Sequence, residues 1–217
     1  MDNLTYFIPQ SDLDAQGNLD AFIKFGKANL PLAFEGAVND WEANAWSTGD
    51  VFWSANRSRY VTLVFSPVFR KAGGQFKSEQ KLQGCYNTPF LDFSKAYMIY
   101  MTRVRPVKNI TARFHSLKYL YAQLIIKNPN APSILEVQRS DFDAVVAMLD
   151  KKYSNERTLF HYLNGVRELA KFLAEKQLMF TLFDWNCCRK PSFLASGGTS
   201  YEAVELRKSK LIDEETL

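Results

Sequence analysis

Arg103, Arg105, Lys108, Arg113, Lys118 and Lys127 all fall between Asp92 and Glu136, an interval without one acidic residue. Further along, Lys151, Lys152, Arg157, Arg167 and Lys171 recur beside Asn164 in a stretch of helical period. Lysine and arginine neutralise phosphates, and Ser, Thr, Asn, Gln and Tyr add neutral hydrogen bonds to them. Arg and Asn can also read guanine and adenine edges in a major groove. The residue types therefore point to holding a polyanion, double-stranded DNA in the first place, rather than to bond-breaking chemistry.

The formal net charge of +4 hides an uneven distribution. Residues 86–180 hold 14 Lys/Arg against 8 Asp/Glu, while 1–85 hold 8 against 9 and 181–217 hold 5 against 6. All of the basic excess lies in the middle, as in a polyanion-binding module. A chance cluster on a solvated surface is the plain alternative. A helical interaction module whose basic face takes an acidic protein partner is the rival from another class.

Helices must position these side chains. Over 109–128, Ile110, Phe114, Leu117, Leu120, Tyr121 and Leu124 form an apolar stripe. Arg113, Ser116, Tyr119, Gln123 and Lys127 fill one polar sector, and Thr111, His115 and Lys118 the next. Over 155–178, Leu159, Leu163, Val166, Ala170 and Leu173 make the buried face. Arg157, Asn164 and Lys171 overlay at seven-residue spacing beside Arg167, although Glu168 and Glu175 share that sector. A helix over 89–104 is ended by Pro106. Another runs from Asp141 to Lys151, with Ser140 or Asp141 as its cap. Short connections favour an antiparallel bundle.

Residues 1–85 read as a small α+β unit. Tyr6–Pro9 suits a short strand, and a helix from Leu19 to about Asn29 would be capped by Asn18. Tyr60–Phe69 suits a strand or hairpin arm, and Trp41, Trp46 and Trp53 local core. Residues 86–180 are the helical DNA-binding domain. Residues 181–217 read as a linker containing Pro191 and Gly197-Gly198. Asp213-Glu214-Glu215 then look like a helix's first turn, so a further domain is expected to follow.

No metal or cofactor is expected. Cys85, Cys187 and the neighbouring Cys188 lack paired zinc-ligand spacing, and the glycine pairs do not form a phosphate loop. Asp141, Asp143 and Asp150 look like helix-entry charges. No apolar run is long enough for a membrane span, and the N-terminus is not a secretory signal. The reducing cytosol is the simplest compartment.

The order PFLDFSKAYMIYM, ARFHSLKYLYAQLI, DFDAVVAMLDKKYSNERTLFHYLNGVRELAKFLAEKQL, KSKLIDEETL resembles tyrosine recombinases of the phage-integrase type, over roughly residues 88–217. The likeness is to the core-binding domain and the lead-in to the catalytic domain. Ser154, Asn155 and Thr158 stand where the family enters its last bundle helix. Lys210–Leu217 stand where it has a K-L-P-x-x-E-x-L-like stretch, with Ile212 in place of the usual proline. The resemblance implies a mainly α fold: a four- or five-helix bundle, core-binding and SAM-like, after the small α+β unit. It implies a bacterial cytoplasmic, nucleoid-associated protein that integrates or excises a mobile element and self-associates on DNA in its full-length form. It also implies DNA contacts from Arg113, His115, Lys118, Arg157, Asn164, Arg167 and Lys171, with Lys151 and Lys152 on phosphates.

The family's nucleophilic tyrosine and H-x-x-R motif belong to the catalytic domain. Here His115 is followed by Ser-Leu-Lys and His161 by Tyr-Leu-Asn. No catalytic residue is therefore assigned, and this stretch alone is not expected to cut or join DNA.

Overall fold

The computed structural model describes residues 6–34, 37–48, 62–65, 88–103, 110–129, 132–187 and 189. The described residues are mainly helical. Helix α1 spans Ala15–Ala33. It starts a turn before the expected Leu19, because the Asp14 carboxylate accepts from the Gly17 amide at 2.8 Å and is the cap. Asn18 is instead fully buried inside the helix; its side-chain oxygen accepts from the Gln10 amide at 2.8 Å. Tyr6–Pro9, expected as a strand, is irregular. Phe7 nevertheless anchors it, 5.0 Å from Phe22 between ring centroids.

Strands β1 (Ala45–Ser47) and β2 (Thr62–Val64) pair antiparallel, Trp46 opposite Leu63. Of the expected strand Tyr60–Phe69, only this core is a described strand. Trp41 and Trp46 are buried, as local core should be; Trp53, Cys85, Cys188 and both glycine pairs lie outside the described residues.

Helix α2 (Thr88–Arg103) is buried on every side from Phe93 to Thr102. A helix enclosed all round is the centre of a bundle. It buries Lys95, whose ammonium donates to the Trp41 carbonyl and lies 5.6 to 5.8 Å from the ring centroids of Trp41, Trp46 and Phe65. These contacts tie the strand pair to α2 and satisfy a cation that would otherwise be costly to bury. Gly26 of α1 lies so close to α2 that a Cβ there would stand 2.6 Å from the Ala96 Cβ.

Helices α3 (Ile110–Lys127), α4 (Arg139–Lys152) and α5 (Glu156–Glu175) complete the bundle, with a short 3-10 turn at Ile134–Glu136. Asp141 serves α4 from its third position rather than as the cap: its carboxylate accepts from the Gln138 amide at 2.8 Å. Asn155 caps α5, accepting from the Thr158 amide at 3.0 Å.

One hydrophobic core runs from Phe7 to Cys187, across the expected boundary near residue 85. Phe172 of α5 shows why: its ring lies 5.2 Å from Phe22 of α1 and 5.0 Å from Tyr97 of α2. Directly after α5 the chain packs back onto the bundle without helix or strand. Leu178, Met179, Trp185 and Cys187 are buried, and the Trp185 indole donates to Asp143 at 2.9 Å.

Candidate nucleic-acid interface

The best-defined polar feature is a seam where α3, α5 and the end of α4 meet. Tyr119 (α3) and Tyr153 (after α4) share a hydrogen bond of 2.7 Å. Tyr153 stacks on Tyr162 (α5) with ring centroids 4.7 Å apart. The Tyr162 hydroxyl lies 3.1 Å from His115 Nδ1 on α3. The Lys152 ammonium sits 5.1 Å from the Tyr119 ring centroid and 5.5 Å from that of Tyr153. Beside the seam, Thr111, Ala112, Thr158, His161 and Tyr162 line a small pocket of about 170 Å³.

Burial sets the ionisation here. It lowers the pKa of His115 to about 4, with Lys118 and then Lys152 pushing the same way, so the imidazole is neutral near pH 7. Burial also raises Tyr119 and Tyr162, and their interactions with Tyr153 add to it, so these phenols stay protonated. The seam therefore sets the exposed Lys152 ammonium beside neutral phenols that bond to one another and to His115. That chemistry suits phosphate oxygens through charge and hydrogen bonding.

The expected DNA contacts do not form one open face. Lys151 and Lys152, the expected phosphate contacts, and Arg157, another expected DNA contact, are exposed at the α4–α5 junction. Arg113 is half-buried, and among the described residues its buried Nε has no hydrogen-bond partner. His115 is half-buried and Lys118 only 7% exposed, its ammonium 5.0 Å from the Phe114 ring centroid. Their sector of α3 was expected to be open. Neighbouring helices pack around α3, so polar positions on its wheel end up between helices.

The basic line along α5 divides as well. Arg167 donates to Asn164 Oδ1 at 2.8 Å and to the Arg189 carbonyl at 2.9 Å. Lys171 is exposed but pairs with Glu175 at 3.5 Å. Arg167 and Lys171 line a cleft of about 600 Å³ between α5 and residues 182–186, together with Glu168, Glu175 and Asp184. The returning segment thus gives this half of α5 a mixed-charge environment. Arg157, near the start of α5, is exposed.

Two features escaped the sequence. The tyrosine cluster draws on three separate segments, and no spacing within one helix signals it. Arg189, beyond α5, bonds to Asp150 and Glu156 at 3.0 and 2.8 Å. Nothing local marks it as a partner of residues more than thirty positions away.

Comparison of the chain with protein-family models, with curated proteins and with solved structures finds no match. Among the described residues, no helix is long and apolar enough to cross a membrane.

Proposed function

We propose that this chain binds duplex DNA and is the core-binding, SAM-like part of a site-specific tyrosine recombinase. The recombinase assignment rests on the resemblance over residues 88–217. The DNA surface rests on one observation: Lys151, Lys152 and Arg157 are all exposed where α4 ends and α5 begins, beside a seam of tyrosine, histidine and threonine side chains. Three exposed cations at one corner neutralise phosphates, and threonine hydroxyls at the neighbouring pocket add hydrogen bonds. The whole protein would act in the bacterial cytoplasm, at the nucleoid, self-associate on its site, and integrate or excise a mobile element. The strand-cutting residues would lie in a catalytic domain.

Fluorescence anisotropy with a labelled duplex, read across a salt series, tests the proposal. Three neutralised phosphates correspond to a slope of about −3 in log affinity against log salt. Failure to bind any duplex at low salt would sink the reading.

A further inference from the structure

We propose that Arg189 positions the DNA-facing corner: it holds Asp150 and Glu156 away from approaching phosphates and fastens the chain leaving the bundle onto α4 and α5. This inference rests on the DNA-binding reading above. The corner contains Lys151, Lys152 and Arg157, but Asp150 and Glu156 flank them in sequence. Three cations and two carboxylates sum to +1, and either carboxylate repels a phosphate at close range.

Arg189 changes that arithmetic and its geometry. Its Nε donates to Asp150 Oδ1 at 3.0 Å and its Nη2 to Glu156 Oε1 at 2.8 Å. Asp150 lies near the end of α4 and Glu156 is the first residue of α5, so one guanidinium spans the junction. A planar fork of donors suits two separate carboxylates in a way that a lysine ammonium does not. With Arg189 counted, the corner becomes +2 and both acids are engaged.

The segment that brings Arg189 back is held at further points. Its main-chain carbonyl accepts from Arg167 Nη2 at 2.9 Å, and Trp185 donates to Asp143 at 2.9 Å. Buried Leu178, Trp185 and Cys187 fix the route between them. The path of the chain out of the bundle and the charge of the DNA-facing corner therefore depend on the same side chain.

Arg189→Ala separates this role from direct contact. Duplex affinity should fall several-fold at about 0.1 M salt while the salt slope stays the same, because a residue that touches no phosphate releases no counterion. Adding Asp150→Asn and Glu156→Gln to Arg189→Ala should restore the affinity. Unchanged affinity in Arg189→Ala, a slope reduced by about one, or no recovery in the triple variant would each overturn the proposal. Should the unaltered chain bind no duplex, the DNA reading fails and the charge role with it. The fastening role is then read without DNA by hydrogen exchange at Trp185–Cys187. Faster exchange in Arg189→Ala upholds it, and unchanged exchange overturns it.

Discussion

Gly165 of α5 rests against the main chain of Ala112 on α3 so closely that a Cβ at Gly165 would lie 2.6 Å from the Ala112 carbonyl oxygen. Real Cβ atoms do not approach backbone oxygen to that distance, and a helix backbone cannot yield as a side chain can. This contact sets how near the two helices come, and so brings His115 to within 3.1 Å of Tyr162.

Gly165→Ala should therefore destabilise the protein despite alanine's better helix propensity. Overpacking of this kind costs about 1–3 kcal/mol, against a propensity gain of at most about 1 kcal/mol. Thermal unfolding should show a clear fall in Tm, with a smaller one if only the seam loosens. A variant as stable as the parent would refute the close crossing.

The neutral, buried His115 gives stability a definite pH dependence. Its folded pKa of about 4 lies below the unfolded value of 6.5. Between those limits the unfolded chain takes up a proton that the folded chain refuses, so stability falls as pH drops from about 6.5 towards about 4. The effect is on the order of 3 kcal/mol. Denaturant unfolding at pH 7 and pH 4.5 measures it, and His115→Gln should remove much of the difference. Equal pH dependence in both proteins would show that His115 is not the group responsible.

Gln177 ends α5 in the left-handed region, at φ 54°. Around it the Leu178 amide donates to the Leu173 carbonyl at 3.0 Å and the Gln177 amide to the Ala174 carbonyl at 3.2 Å. This bond pattern usually has glycine at the left-handed position. Gln177→Gly should relieve the strain and stabilise the fold by about 0.5–1 kcal/mol. Chemical denaturation decides it; a loss of stability would mean that the glutamine side chain matters more than its backbone.

Charge reversal at the exposed corner should weaken DNA binding without unfolding the bundle. Lys151→Glu and Arg157→Glu should each lower duplex affinity and reduce the salt slope by about one or more. Melting temperatures should shift little, because surface changes away from packed groups cost within about 0.5 kcal/mol. Lys171→Glu, already beside Glu175 and Asp184 in the mixed-charge cleft, should have a smaller effect on binding. An equal effect at Lys171 would mean that the whole length of α5 meets the duplex.

Much of the local structure was legible in the residues themselves. The expected helices at 89–104 and 109–128 differ from Thr88–Arg103 and Ile110–Lys127 by about one residue at each end. Leu159, Leu163 and Val166 are buried, as the helical period required. The misplaced start of α1 has a simple cause. Asp14 and Asn18 are both good caps one turn apart, and only the buried bonds of Asn18 to residue 10 decide between them.

Helical period, apolar stripes and the basic excess of residues 86–180 were determined by the sequence alone, because each depends on neighbours within one or two turns. Tertiary structure decided what those stripes meet. It enclosed Lys118 and His115 between helices, carried Phe7 and Phe22 into the same core as Phe172, and folded Arg189 back onto Asp150 and Glu156. A helical wheel ranks the polarity of faces but holds no information about which face another helix will cover. That choice is made by contacts between residues far apart in the chain, such as the 2.6 Å limit at Gly165.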